Sequence, residues 1–361
     1  MATLNPRFVE RLLESKNRNV LLCGCGGGFD FVHSMLLYPA LKEQGKNITI
    51  GSYSFNRPET IGGPAQTIFA QDGVIAKRVT AQSIPNAVYC PEVHTCSFLD
   101  AAYPEDGPHS IYAYYARDFT VPLLRELYKQ IADHHHIDCI VLVDGGSDSL
   151  VVGDENGLGD PVEDAVSVTA VNSLRNVSER ILICVGLGSD RYNHVSDGTS
   201  LRAIAELTRT EGYLGCLGLE PKNIAYRFYR RLIEHIYSRQ TFQSVVAGMI
   251  IAAVEGYYGS QDIPPILSRR LRAGDAFYLW PLMSCLWAFE VSTVAERSLI
   301  AKWISEKSTV ADCYRAISEG RKAIRGALRG VEDLPRQRDM GAELAMDFTE
   351  MYVRQHSRDD S

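Results

Sequence analysis

Between Leu142 and Pro161 the chain reads Leu-Val-Asp-Gly-Gly-Ser-Asp-Ser-Leu-Val-Val-Gly-Asp-Glu-Asn-Gly-Leu-Gly-Asp-Pro. Asp144, Asp148, Asp154, Glu155 and Asp160 stand among five glycines. Carboxylates so grouped can accept substrate hydroxyls, take a proton from water or hold a hard cation such as Mg²⁺. Glycines let the backbone come close to whatever they hold. The spacing does not fit an EF-hand loop, which needs D-x-[DN]-x-[DN]-G and a late Glu. A second reading makes the same residues turn formers and helix N-terminal acids. Asp144, Asp148, Asp154 and Glu155 are the candidate catalytic groups, with Gly145 and Gly146 as ligand-approach positions.

Two more loops share this layout. Gly24-Cys25-Gly26-Gly27-Gly28-Phe29-Asp30 follows an apolar run, and helix N-terminal amides there would face an anion. Gly26, Gly27 and Gly28 are assigned that cradle, and Asp30 either caps the helix or touches ligand. It is not a clean dinucleotide fingerprint, because Phe29 stands where GxGxxG needs glycine. The ribose-binding acid expected about twenty residues on is also missing. Ser52 and Arg57 leave NADP open as an alternative. The third loop, Val185 to His194, places Asp190, Asn193 and His194 after glycines. Asp190 and Asn193 are read as ligand contacts, and His194 as a base or a hydrogen-bonded loop residue.

These loops need strands that end at one edge. Apolar runs predict strands at 19–24, 47–53, 110–116, 138–144 and 180–186. Helical patterns fall at 7–15, 30–43, 118–133, 161–174 and 199–209. The fold class is α/β: a mostly parallel, Rossmann-like sheet with helices on both faces. Residues 55–109 predict short elements and a loop over the sheet edge. Beyond 222 the pattern turns helical, at 223–239, 241–257, 282–306 and 310–329. The expected organisation is a core over 1–220, a helical region over 221–350 packed on it as one unit, and a frayed tail at 351–361.

Composition narrows the function. With 361 residues, 45% hydrophobic and 22% charged, the chain can bury a large core without staples. A net charge of −7 argues against nucleic acid. The short basic runs Tyr229-Arg230-Arg231 and Ser268-Arg269-Arg270-Leu271-Arg272 read as solvated faces or as contacts for an anionic ligand. The nine cysteines are odd in number and lack a CxxC pair, which fits reduced thiols in a cytoplasmic protein. Cys25 is the one candidate nucleophile among them. His134-His135-His136 ends a helix, where it complements the dipole. The longest apolar stretch, 244–254, is too short to cross a bilayer.

The Gly-rich turn with Asp30, the run Ser54-Phe55-Asn56-Arg57, the segment Asp-Gly-Gly-x-Asp…Gly-Asp-Glu-x-Gly-Leu-Gly-x-Pro and the later Gly-x-Gly-x-Asp together resemble the DUF1152 family. The resemblance runs in order over residues 18 to 330. It departs at Arg191-Tyr192, where archaeal members carry Gly-Glu. It implies an intracellular α/β fold and no particular reaction.

The residues themselves point to an enzyme acting on a small phosphorylated or ribosylated metabolite by hydrolysis or group transfer, with a divalent cation such as Mg²⁺ open as cofactor. An NADP-dependent oxidoreductase and a non-catalytic metabolite-binding protein are the alternatives. The expected partner is a small molecule, with neither nucleic acid nor membrane. A homo-oligomer stays open.

Overall fold

A computed structural model describes residues 4–61, 65–85, 88–272, 274–330 and 334. The expected frayed tail at 351–361 lies outside the described residues. The strands are β1 (Asn19–Gly24), β2 (Asn47–Ser54), β3 (Gln66–Gln71), β4 (Val74–Thr80), β5 (Ser110–Tyr115), β6 (Cys139–Asp144), β7 (Glu179–Cys184), β8 (Tyr213–Gly218) and β9 (Cys285–Glu290). They form one sheet in the order β3-β4-β5-β2-β1-β6-β7-β9-β8. The five strands from β5 to β7 are parallel, while β4 and β9 run antiparallel to their neighbours.

Successive strand side chains point to opposite faces, and both faces are dry. Leu21, Cys23, Ile140, Leu142 and Leu182 pack in one core with the helices Val121–His135, Pro161–Asn172 and Asp197–Arg209. Val20, Leu22, Val141, Val143 and Ile183 pack in another with Asp30–Ser34, Tyr38–Glu43, Pro91–Ala102 and Ile224–Tyr237. Such two-sided burial explains the unbroken apolar runs of β1, β6 and β7.

The differences from the sequence expectation are at the edges. Residues 55–109 hold the β3–β4 hairpin, which pairs antiparallel with β5. The helical expectation over 282–306 is overturned. That segment opens with a 3₁₀ turn at Pro281–Ser284, forms β9, and only then gives the helices Val291–Arg297 and Leu299–Ile304. β9 lies between β7 and β8, so the chain beyond 221 supplies an interior strand and is not purely helical. The expected helix at 30–43 is two short helices, Asp30–Ser34 and Tyr38–Glu43.

The arrangement that positions the site is the β2-β1-β6 order. From β1 the chain crosses to β2 on one side and reaches β6 on the other. Connections diverge between β1 and β6, which opens a crevice at their carboxyl ends.

Candidate functional site

The crevice holds a cavity of about 470 Å³. Gly26, Gly27 and Asp30 reach it from the turn after β1, Asp144, Gly145 and Asp148 from β6 and its loop, and Asp190 and Asn193 from the loop after β7. The three loops meet because three neighbouring parallel strands leave the same sheet edge. Asp160, Glu163 and Asp164 complete the acidic wall from the start of the helix Pro161–Asn172. Seven carboxylates thus line one cavity.

Backbone amides fix most of them. Asp30 accepts the N–H of Gly26 at 2.8 Å and that of Gly145 at 3.2 Å, tying the first two loops together. Asp190 accepts the Ser147 N–H at 2.5 Å, tying the second loop to the third. Asp144 accepts the Ser149 N–H at 3.2 Å and that residue's hydroxyl. Asp148 accepts the Asp160 N–H at 3.0 Å. Gly159, at φ +72°, crosses so close to Asp148 that a Cβ would lie 2.4 Å from its carboxylate. Asp164 differs: its Oδ1 is buried and has no hydrogen-bond partner.

Burial and crowding raise the proton affinity of these groups. Burial pushes Asp190 up to about 7, with Asp144 adding to it. Burial and then Asp160 push Glu163 up to about 7. Asp144 is pushed up to about 6 by burial, against the lowering effect of Ser149. Asp30 and Asp164 lie well above the usual range through burial and then Asp144, and Asp148 through burial and then Asp190. His33 shares the cavity, donates to or accepts from the Tyr229 hydroxyl at 2.7 Å, and is pushed down to about 3 by burial. It is neutral at pH 7. Arg270 is the one lysine or arginine among the described lining residues, and it stacks over Phe242 at 4.2 Å.

Other expected site residues lie elsewhere. Asp154 and Glu155 do not line the cavity. Arg329 donates to both, and Glu155 also accepts the amides of Val152 and Gly153. These two carboxylates therefore anchor a loop to the distant end of the chain, and the catalytic assignment is withdrawn for them. Arg57 is exposed and outside the lining. Gly28 and Gly146 sit just behind it. A Cβ on Gly28 would strike Phe55 and Tyr89, and one on Gly146 would strike Asp190.

Two of the amides expected to cradle an anion at the glycine turn, those of Gly26 and Gly28, are already bonded within the protein. The N–H of Cys25 goes to Val143 O, that of Gly26 to Asp30, and that of Gly28 to Tyr53 O. Ser52, the residue that kept NADP open, is buried and donates to Glu92 at 2.9 Å. Cys25 is buried with its thiol pushed up by that burial, the opposite of an activated nucleophile. All nine cysteines are free.

Asp164, Glu163 and His33 line the cavity without having been assigned to a site from the sequence, and Arg270 comes from a basic run read as a solvated face or an anion contact. The signal for Asp164 was its place three residues after Pro161: residues one turn apart share a helix face, and Pro161 begins the face turned to the sheet. A larger cavity of about 710 Å³ adjoins this one across Tyr192, with Phe277, Tyr278, Asp262 and Asp275 in its wall. Its described lining residues include no comparable group of carboxylates. No helix among the described residues is long and apolar enough to cross a membrane.

Searches of curated proteins and of solved structures each returned no match. The profile of the family DUF1152, described as a protein of unknown function, matches residues 21–322. The chain belongs to that family.

Proposed function

We propose that this DUF1152 protein is an enzyme that hydrolyses a small ribosylated or phosphorylated metabolite, or transfers a group from it. The observation that carries this reading is the convergence of seven carboxylates in one cavity at the point where the β1 and β6 connections diverge. Burying ionised carboxylates together costs stability, and a fold has no packing reason to gather them.

Asp148 and Asp190 are the acid–base pair of this reading. Burial, and for Asp148 the neighbouring Asp190 charge, keep a proton in the pair near neutral pH. One carboxylate takes a proton from water as the water oxygen bonds to the substrate's carbon. The protonated partner gives its proton to the departing oxygen or nitrogen. In group transfer, an acceptor hydroxyl replaces the water.

The substrate's hydroxyls face the carboxylates. A phosphate faces away from them, toward Arg270, because the acidic wall repels anions and the Gly26 and Gly28 amides are already bonded. Hydride transfer fits less well, since Ser52 is not free to meet a cofactor phosphate.

The test is incubation of the full chain with defined nucleosides, sugar phosphates and nucleotides, with Mg²⁺ present, followed by chromatography of the products. Turnover of a hydroxyl-rich compound, lost in Asp148→Asn, supports the reading. A compound that stabilises the protein yet returns unchanged identifies a binding protein instead.

A further inference from the structure

Within the acidic wall, three carboxylates are closer to one another than to the rest. One oxygen each from Asp30, Asp144 and Asp164 lie within 4.8 Å of one another. They come from three separate elements: the helix after β1, the end of β6 and the first turn of the helix Pro161–Asn172. Asp144 and Asp164 are 2% and 4% exposed. We infer that Asp30, Asp144 and Asp164 form a binding site for one hard divalent cation.

Closeness of acids alone would not carry this. The independent observation is the bare Oδ1 of Asp164. It is buried, without any hydrogen-bond partner, and its side chain borders the cavity. An unsatisfied buried carboxylate oxygen is among the costlier features a fold can keep. The other members keep capacity in hand. Asp30 takes one amide on each oxygen, and the described bonds to Asp144 all fall on Oδ2. Each carboxylate oxygen has room for a further partner.

Gly26 supplies the space. A Cβ there would lie 2.9 Å from Asp30 Oδ2 and 2.9 Å from Asp164 Oδ2. Any side chain at this position would press between the two carboxylates.

The donor set selects the ion. All three ligands are oxygen, and the nearby His33 turns its Nδ1 to Tyr229. Oxygen-only sites suit Mg²⁺, Mn²⁺ and Ca²⁺ over softer metals. Oxygens across one such ion are at most about twice the ion–oxygen distance apart, roughly 4.2 Å for Mg²⁺ and ~5 Å for Ca²⁺. The three oxygens, within 4.8 Å of one another, fit the Ca²⁺ span as they stand, and a smaller ion would draw them closer. Three carboxylates from separate elements leave the opposite side of the ion for water or substrate, as in open catalytic sites. This deepens the hydrolase or transferase reading of the same cavity, and it does not need turnover to be tested.

The experiment is titration of the chelator-stripped full chain with MnCl₂, followed by calorimetry and by loss of the free Mn²⁺ electron-spin signal, with MgCl₂ and CaCl₂ as competitors. One saturable site is expected. Asp164→Asn should weaken Mn²⁺ at least tenfold while the unliganded variant melts no lower than wild type, since the change keeps the side chain's shape and takes one acid out of a crowded wall. Asp154→Asn, outside the cluster, should bind Mn²⁺ as wild type does. No saturable binding at millimolar Mn²⁺, or equal affinity in Asp164→Asn, overturns the site. If Mn²⁺ binds as described and no compound is turned over, the cation site stands and the enzymatic reading falls.

Discussion

Glu155 and Arg329 meet at 2.6 Å, although 173 residues separate them in the chain. The same carboxylate accepts the amides of Val152 and Gly153, and a parallel bridge pairs the two backbones. Glu155→Gln should therefore cost stability, about 1–3 kcal/mol for a largely buried charged bond. Turnover and cation binding should stay near wild type. Chemical denaturation beside an activity assay checks this, and an inactive but fully stable variant would return Glu155 to the site.

Asp148→Asn should show the reverse pattern. The change keeps the acceptor for the Asp160 amide and removes charge from a crowded wall. Stability should hold or rise, while turnover should fall by about 10²-fold or more, as for loss of an acid–base group. A thermal melt and a rate measured on the same preparation separate the two effects.

Gly26→Ala fills the gap between Asp30 and Asp164. The added methyl forces those carboxylates apart, and Asp30 is pinned by two amides. Mn²⁺ affinity should drop about tenfold or more, in line with what displaced ligand geometry costs a metal site. Wild-type affinity in a folded Gly26→Ala would mean the ion sits elsewhere.

Stability should depend on pH in a direction set by the buried acids. Asp190 is raised to about 7 in the folded chain, from about 3.9 when unfolded. The folded state thus binds more protons between these values, and stability falls as pH rises through that range. His33 acts the other way. Its value falls to about 3 on folding, so its contribution is lost as pH drops below about 6.5. Above that point His33 is neutral in both states. The melting temperature of the cation-free protein should therefore decline from pH 6.5 to 8, and added Mg²⁺ should flatten the decline. A rising or flat profile without cation would contradict the protonated wall.

The sheet centre was legible because strands buried on both faces leave continuous apolar runs, as in β1, β6 and β7. The loops at their ends were legible through glycine beside aspartate. β9 was not, since Cys285–Glu290 runs directly into the helix Val291–Arg297 and has no turn residue to separate them. Asp154 and Glu155 were misread for a different reason. Acids in a glycine-rich loop look alike whether they face a ligand or an arginine brought in from the far end of the chain. Asp164 was passed over because an acid in a first helical turn already has a sufficient local explanation.

Whether this acidic cavity performs chemistry can be measured without a prior choice of substrate. A small-molecule cell extract is incubated with Mg²⁺ and either wild type or Asp148→Asn, and both mixtures are compared by mass spectrometry. At least one hydroxyl-rich metabolite should be consumed by wild type alone, with its hydrolysis or transfer product appearing in step. Extracts left identical by the two proteins would contradict that chemistry.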